Sequence, residues 1–413
     1  MFNNKALKKR FFILLVILLM ALLSWQSQVF ALLPFAYKTW KLHSMSNAIA
    51  FSYDGKMLAT GAGKPGRYKI GFNHHVRGVS STVEIRRIAD SKVIQTLIFP
   101  NATNIAFSYD NKLIAAGHQG KDVKVWRVSD GDLVSTFEQS NFKQYGFNFS
   151  SVSYLAFTPN SQALVSSTQQ DYWSKNKSDT INIWNLDSGD SRRILSDRMG
   201  CAVVNPEGKM LALGGRNTVN VAAPLSLYEV ATGTLSKVFD NQPQDCRGIQ
   251  FSQDSKLLFF FSRDQKKIYI YDTESGKLIR SQNLKHIERK NLLAGQSAFS
   301  QDASYLAIAY SAASIEGGFI FPSIPKTFFG RISIWNTENG SLVKTALRSR
   351  KGSNALAFSP DGKSIASAEK DNTIRFWKIP SNNYSWLWLL SAGGLMAIVY
   401  WRRKDLKDWI NTQ

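Results

Sequence analysis

The stretch LAFSPDGKSIASAEKDNTIRFWKIP, from Leu356 to Pro380, contains three short apolar segments separated by polar residues. Alternating apolar and polar residues are typical of β-strands with one buried face, and Ser-Pro-Asp-Gly supplies the residues that tight turns need. The pattern therefore predicts three consecutive antiparallel strands, which we call strands a, b and c.

The same unit occurs seven times in the chain, and each copy has an aromatic or apolar anchor near the end of strand a. In six copies strand c carries tryptophan or tyrosine at one position, whereas Arg86 occupies it in the first copy. A fourth strand, d, follows most copies. Four-stranded units that repeat about every 50 residues predict an all-β, seven-bladed β-propeller of antiparallel blades over residues 37–380. The anchors are Phe51, Phe107, Phe157, Val204, Phe251, Phe299 and Phe358.

At these residues the sequence resembles the WD40-repeat family, most clearly in the second and seventh copies. The resemblance implies a propeller that binds protein partners. The family pattern is incomplete, because no copy has the Gly-His dipeptide before strand a and none ends strand c in Trp-Asp. The family's buried Asp-His-Ser-Trp hydrogen-bond network is therefore not expected in its usual form. Aspartates before strand c are Asp122, Asp179, Asp264 and Asp371.

The seventh copy lacks strand d, because the chain becomes apolar soon after IRFWKIP. The segment YKTWKL, from Tyr37 to Leu42, precedes the first copy and has no other place in the repeat. We expect it to pair with the last blade, which closes the ring and removes two open sheet edges.

Both ends of the chain are predicted to be directed to a membrane. Residues 1–31 combine a basic start, the apolar run Phe11–Leu23 and the sequence V-F-A, which is typical of a cleaved secretory signal. The apolar residues that follow leave an uncleaved signal anchor open as the alternative.

Residues 384–401 carry no charge and, at about 1.5 Å per residue, are long enough for a transmembrane helix. Aromatic residues lie at both ends, and a basic tail follows at 402–413, which we expect to remain cytoplasmic. The basic residues at both chain ends place the propeller outside the cytoplasm, in the periplasm or at the cell surface. A processed sorting signal is the alternative, although the Pro-Glu-Pro motif of such signals is absent.

The order of the strands defines two faces of the predicted propeller. The connections from strand a to strand b and from strand c to strand d lie on one face, which we call the turn face. Connections from b to c and from d to the next a share the opposite face, the loop face. Since the closing strand begins where the last strand c ends, both membrane-directed ends leave from the turn face, and the loop face points outward.

The loop face is the predicted binding surface, because several of its connections are longer than the blades need. The long connections are 61–81, 138–151, 168–178 and 311–330, and basic residues also cluster near residue 350. Aromatic and arginine side chains are common anchors of protein interfaces. The candidate partner-binding residues are Arg67, Tyr68, Phe72, His74, His75, Arg77, Phe142, Tyr145, Trp173, Phe321, Phe328, Phe329, Arg348 and Arg350.

The chain carries a formal charge of +21, with 51 basic and 30 acidic residues. Such a surplus favours an acidic protein or an anionic surface polymer as partner. No motif indicates specific binding of nucleic acid.

The chain has two cysteines, Cys201 and Cys246, which precede strand a of adjacent blades. They are a possible disulfide in an oxidising compartment. The alternative is a pair of buried thiols. The two cysteines differ by two residues in their sequence distance from the anchor of their own blade, and this difference could hold their Cα atoms more than about 7 Å apart.

The sequence contains no GxSxG, HExxH or P-loop motif, and His74-His75 alone does not make a metal site. We therefore expect no cofactor and no enzymatic activity. The predicted function is a membrane-anchored, extracytoplasmic scaffold that binds a protein or an anionic polymer. The alternative is an extracytoplasmic propeller enzyme, similar to quinone-dependent dehydrogenases, that uses the central channel.

Overall fold

The computed structural model of the chain describes residues 36–62, 82–99, 102–118, 122–138, 151–169, 178–197, 199–215, 217–218, 221–222, 224–240, 243, 245–285, 292–312, 330–349 and 352–379. The regular elements in these residues are all β-strands. No helix suited to crossing a membrane occurs in this part of the chain. The predicted signal or anchor at 1–31 and the predicted transmembrane helix at 384–401 lie outside it.

The strands form seven four-stranded antiparallel sheets and one additional two-stranded sheet. This confirms the predicted seven-bladed propeller. Blade 1 consists of β2 (Ser46–Phe51), β3 (Met57–Ala62), β4 (Thr82–Arg87) and β5 (Val93–Ile98). Blade 2 consists of β6 (Ala102–Phe107), β7 (Leu113–His118), β8 (Asp122–Arg127) and β9 (Leu133–Glu138). Blade 3 consists of β10 (Ser151–Phe157), β11 (Ala163–Gln169), β12 (Ser178–Asn185) and β13 (Ser191–Asp197).

The fourth blade contains the additional hairpin, β16 (Asn217–Thr218) with β17 (Val221–Ala222), in its connection from b to c. The sheet of blade 4 consists of β14 (Met199–Val204), β15 (Met210–Gly215), β18 (Ser226–Glu229) and β19 (Leu235–Val238). Blade 5 consists of β20 (Cys246–Phe251), β21 (Leu257–Ser262), β22 (Lys267–Asp272) and β23 (Leu278–Asn283). Blade 6 consists of β24 (Leu292–Phe299), β25 (Tyr305–Ala312), β26 (Gly330–Asn336) and β27 (Leu342–Ser349).

Blade 7 is closed by the N-terminal strand, as the sequence predicts. Its sheet order is β1 (Lys38–Lys41), β30 (Thr373–Lys378), β29 (Ser364–Glu369) and β28 (Ser353–Phe358). The amide of Tyr37 donates to Phe376 O at 3.0 Å, and the amide of Leu42 donates to Asn372 O at 2.8 Å. The strand covers the outer edge of the last blade.

The repeated a-to-b turns explain the repeated sequence S-x-D. In the first blade, Ser52 Oγ donates to Asp54 Oδ1 at 2.6 Å, and the same carboxylate oxygen accepts from the Lys56 amide at 3.0 Å. Gly55 and its equivalent Asn111 have φ values of 67° and 61°. This left-handed conformation suits glycine and asparagine, so this position of the turn is occupied only by those two residues or by another small residue.

The apolar core lies between neighbouring blades. The strand c aromatics Trp126, Trp184, Tyr271, Trp335 and Trp377 are all buried. In the first blade, Arg86 replaces the aromatic ring, and its guanidinium pairs with Glu84 at 2.6 Å in a half-buried site. The stacked blades thus form one ring around a central channel, with every connection on one of two faces.

Candidate partner-binding face

The described chain begins and ends on the turn face. Lys38 lies opposite Phe376, so the start of β1 is beside the end of β30. The amide of Ile379 donates to Lys363 O, in the a-to-b turn of the same blade, at 2.9 Å. The first and last described residues, 36 and 379, therefore lie on the same side of the propeller, opposite to the loop face.

Every internal stretch outside the described residues is flanked by strand ends on the loop face, because each joins strand b to strand c or strand d to the next strand a. These stretches contain 15 of the 51 basic residues but only three of the 30 acidic ones. Between residues 36 and 379, most of the surplus charge therefore belongs to connections that start and end at one face.

Most of the predicted binding residues belong to these connections and lie outside the described residues. They are Arg67, Tyr68, Phe72, His74, His75, Arg77, Phe142, Tyr145, Trp173, Phe321, Phe328, Phe329 and Arg350. Arg348 is in β27, opposite Arg331 of β26 in the strand register. The structure gives the positions of the strand ends that flank these residues.

At the loop face, strand a of every blade shifts its register against strand b, which is the mark of a β-bulge. Sequence reasoning missed this ring of bulges, although a polar residue or glycine occurs four positions before the anchor in all seven copies. Bulges redirect side chains and are common near binding sites. The residues at the seven shifts are Asn47, Thr103, Ser153, Gly200, Arg247, Gly295 with Gln296, and Asn354.

Several side chains at or beside the bulges link neighbouring blades. Thr103 Oγ1 donates to Val152 O of the next blade at 2.9 Å. Asn354 Nδ2 donates to Asn47 Oδ1 at 3.2 Å, which joins the last blade to the first. The loop-face end of the channel is thus surrounded by polar groups that are held by bonds between blades.

Blade 5 places two arginines on this face around one buried carboxylate. Asp245 is 2% exposed, and its oxygens pair with Arg247 Nε at 3.2 Å and Arg263 Nε at 3.0 Å. Burial, together with the charge of Asp245, raises the pKa of the nearby Asp264. Asp264 also lies 3.7 Å from Arg263, so the cluster contains two arginines and two aspartates, and this part of the face offers oriented guanidinium groups without a surplus of charge.

Cys201 of β14 and Cys246 of β20 form a disulfide with a Cα–Cα distance of 5.8 Å, within the usual range for such bonds. The bond joins blades 4 and 5 near the loop face. Gly214 makes room for it, because a Cβ atom there would lie 2.6 Å from Cys246 Sγ and 2.8 Å from Cys201 Sγ.

Blade 7 contains a buried hydrogen-bond network of serine, tryptophan and glutamate. Trp377 Nε1 donates to Ser367 Oγ at 2.9 Å, and Ser367 Oγ donates to Glu369 Oε1 at 2.6 Å. Ser353, from the start of strand a, donates to the same oxygen at 3.0 Å. Glu369 thus fixes the end of strand b to strand a without a histidine. In blade 3 the Trp184–Ser166 bond of 2.8 Å is also present.

The predicted aspartates before strand c differ in their positions. Asp371 accepts bonds from Thr373 and, at 2.8 Å, from Arg375. Asp122 is instead the first residue of β8, and Asp179 is within β12. Among the described residues there is no group of three potential metal ligands.

Comparison with known proteins agrees with this architecture. The family model described as "WD domain, G-beta repeat" matches residues 340–378, which run from the last turn of blade 6 through strand c of blade 7. The Cps50 (Swd1) β-propeller domain of Myceliophteria thermophila has a similar structure, with a TM-score of 0.60 and 14% identity. The match covers 83% of this chain and 100% of that domain, and it supports the fold alone.

Two curated proteins show weaker similarity in sequence. Nuclear distribution protein nudF of Aspergillus niger is 26% identical over 194 residues, which cover 45% of this chain and 41% of that protein. Autophagy-related protein 16 of Arabidopsis thaliana is 22% identical over 293 residues, which cover 68% of this chain and 48% of that protein. The aligned region thus spans less than half the length of each relative.

Proposed function

We propose that this chain, a WD40-type β-propeller with seven blades, is an extracytoplasmic interaction scaffold that is anchored in a membrane. In this proposal the loop face binds an acidic protein or an anionic surface polymer. It has no enzymatic role. The observation that carries the proposal is the concentration of basic residues in connections that all begin and end at the loop face.

Two further features support the binding role of this face. The long connections begin and end at strands of the propeller blades, which gives them the fixed points of attachment that loops need when they bind from a rigid scaffold. Arg247 and Arg263 add guanidinium donors, oriented by the buried Asp245, to the positive charge of the connections. A partner with clustered carboxylate, sulfate or phosphate groups would match this charge.

The location outside the cytoplasm is supported by three observations. The Cys201–Cys246 disulfide is of a kind that persists in oxidising compartments. Residues 1–31 resemble a secretory signal, and residues 384–401 are apolar and end in a basic tail. The described chain begins and ends at the turn face, so a membrane on that side would leave the loop face free for partners.

The binding face can be tested with two sets of variants that remove equal charge. The first changes Arg67, Lys69 and Arg77 to glutamine in the first long connection. The second changes Lys56, Lys112 and Lys209 to glutamine; these side chains are well exposed on the turn face. Full-length protein in nanodiscs is assayed for binding to heparin, as a probe polymer, over a range of salt concentrations.

We expect wild-type binding to weaken with salt and the first set to bind more weakly with a shallower salt dependence. The turn-face set should behave like the wild type. Equal losses in both sets would contradict a binding site on the loop face. Protein partners can be identified by crosslinking in the native membrane. A partner of the loop face should crosslink to the turn-face set but less to the first set.

A further inference from the structure

The central channel ends at the turn face in a cavity of about 350 Å³ that residues from all seven blades line. We call it the turn-face funnel. Its polar side chains include three tyrosines from blades 1 to 3 and two glutamines from blades 5 and 6. None of its described lining residues is an aspartate, glutamate, lysine, arginine or histidine, which is notable in a chain of charge +21.

The tyrosines form one wall of the funnel. The rings of Tyr53 and Tyr109 stack with their centroids 3.9 Å apart and an interplanar angle of 21°. Burial and, secondly, the neighbouring hydroxyl of Tyr109 raise the pKa of Tyr53. The hydroxyl of Tyr154 accepts a bond from the Val204 amide at 3.0 Å, which leaves its own proton to be donated. This wall offers a flat aromatic surface and hydroxyl groups side by side.

The a-to-b turns do not require tyrosine. Proline occupies the equivalent position in three blades, as Pro159, Pro206 and Pro360. Proline is the residue that this turn position favours. Tyr53 contacts the next turn through its ring, which stacks on Tyr109, and also through its backbone amide, which donates to Asn111 Oδ1 at 2.7 Å. The turn itself does not need these two rings, and the stacked pair that they form lines the funnel.

The groups in the funnel remain neutral at physiological pH. Burial raises the pKa of the hydroxyl groups of Tyr53, Tyr109 and Tyr154, so all three remain protonated. On the opposite wall, Gln250 Nε2 donates to Gln301 O at 3.3 Å, and the side-chain amides are uncharged donors and acceptors. The funnel thus combines aromatic surface with neutral hydrogen-bonding groups.

We propose that the turn-face funnel binds a neutral six-membered ring with several hydroxyl groups, that is, a hexose, either free or as the headgroup of a glycolipid. The aromatic wall suits the C–H face of such a ring, and the hydroxyl and amide groups suit its hydroxyls. A cavity of about 350 Å³ is at the small end for ligand sites, which fits one ring.

Other ligands fit the funnel less well. An ion would lose its hydration without meeting an opposite charge. An extended proline-rich peptide needs a groove that is open at both ends, whereas blades surround this cavity on all sides. The site is on the face opposite to the proposed partner-binding surface, and it does not depend on that proposal.

The test is saturation-transfer NMR on the full-length chain in a detergent that contains no sugar, with methyl glucoside, methyl galactoside and glucuronate as probes. The main variant combines Tyr53→Phe with Tyr109→Phe, which keeps both rings and removes both hydroxyls. Gln301→Ala changes the opposite wall. Tyr37→Phe is the matched control, because Tyr37 is on the same face outside the funnel. Thermal unfolding confirms that each variant is folded.

We expect one of the neutral glycosides to bind and glucuronate to bind more weakly. Each hydroxyl removed should weaken binding about 3- to 10-fold, Gln301→Ala should weaken it too, and Tyr37→Phe should not. The proposal is overturned if neither neutral glycoside binds, if the double variant binds as the wild type does, or if glucuronate is preferred.

A second arm distinguishes the two sources of the hexose. The chain is placed in phosphatidylcholine nanodiscs with or without a monohexosyl diacylglycerol. If the lipid headgroup occupies the funnel, its presence should suppress binding of the free glycoside, whereas a site for free sugar should be unaffected. Heparin binding, measured on the same samples, reports separately on the loop face.

Discussion

The indole ring of Trp40 packs edge-on against the ring of Phe376, with their centroids 4.7 Å apart, and this contact joins the first described strand to the last. Trp40 is 5% exposed although it belongs to a strand of four residues at the outer edge of a blade. The closure of the propeller thus depends on one large side chain as well as on backbone pairing.

Replacing Trp40 by alanine should destabilise the ring strongly. The loss of a buried tryptophan typically costs about 3–5 kcal/mol, because the cavity collapses only in part. Lys41→Ala, in the same strand but exposed, is the control and should change the free energy of unfolding by less than about 0.5 kcal/mol. Denaturant unfolding measures both. Similar small effects of the two changes would mean that β1 contributes little to closure.

The Trp377–Ser367–Glu369 network gives a second prediction. Ser367→Ala removes the acceptor of the indole N–H and one of the donors to the Glu369 carboxylate. Leaving these buried groups unsatisfied should cost about 1–3 kcal/mol of unfolding free energy. Ser281→Ala, in an exposed strand d, serves as the control and should have almost no effect. A cost for Ser367→Ala as small as that of the control would show that water or another group replaces the hydroxyl.

The sequence was sufficient to predict the ring of seven blades and its closure, because the repeat fixes the strand pattern and the last copy lacks one strand. Strand order follows from such a repeat, since each blade pairs consecutive strands. The segment at Tyr37–Leu42 was the one stretch with strand character and no place in the repeat.

The details of the faces were harder to predict, because they depend on contacts between blades. Glu369 substitutes for the missing histidine through a carboxylate that reaches back to Ser353, and no family motif indicates this. The turn-face funnel also escaped prediction, since Tyr53, Tyr109 and Gln301 lie in different copies and converge only when the ring closes. The bulge positions were visible in the alignment of the copies, but a polar residue near a strand end has many explanations.

The turn aspartates predict a loss of stability in acid. Burial alone would raise the pKa of Asp110 and Asp361, but bonds from the neighbouring serine and from a backbone amide outweigh it and hold both pKa values below the ordinary value of 3.8. A carboxylate whose pKa is lower in the folded state stabilises the fold above its unfolded pKa. This contribution is lost as the pH falls from about 4 through the lower folded value.

Blade 3 provides the matched replacement for this test. Asn160 occupies the aspartate position and accepts the same bonds, from Thr158 at 2.6 Å and from the Gln162 amide at 3.1 Å. The double change of Asp110 and Asp361 to asparagine should therefore keep the turns while making unfolding free energy less dependent on pH below about 4. Denaturant unfolding at a series of pH values measures this. An unchanged pH dependence would exclude these carboxylates as its source.

The disulfide and Gly214 form a coupled pair that a double-mutant cycle can measure. Replacing Cys201 and Cys246 by alanine should cost about 2–4 kcal/mol, because the bond restricts the unfolded chain across 45 residues. Gly214→Ala should also destabilise the native chain, since its Cβ would lie only 2.6 Å from a sulfur atom. In the chain without cysteines the sulfur atoms are absent. Gly214→Ala should therefore lower the unfolding free energy by about 0.5–3 kcal/mol less there than in the native chain.

Unfolding free energies of the four proteins, measured without reductant, complete the cycle. Gly233→Ala is not a suitable control, because Gly233 has a φ of 73° and would be strained by any side chain. Gly117→Ala is better, since Gly117 is the equivalent glycine of blade 2 and its Cβ would lie 2.6 Å from Val152 Cγ1 of blade 3, away from the disulfide. Its cost should be the same with and without the cysteines. If Gly214→Ala behaves in the same way, the glycine is required by the backbone and not by the disulfide.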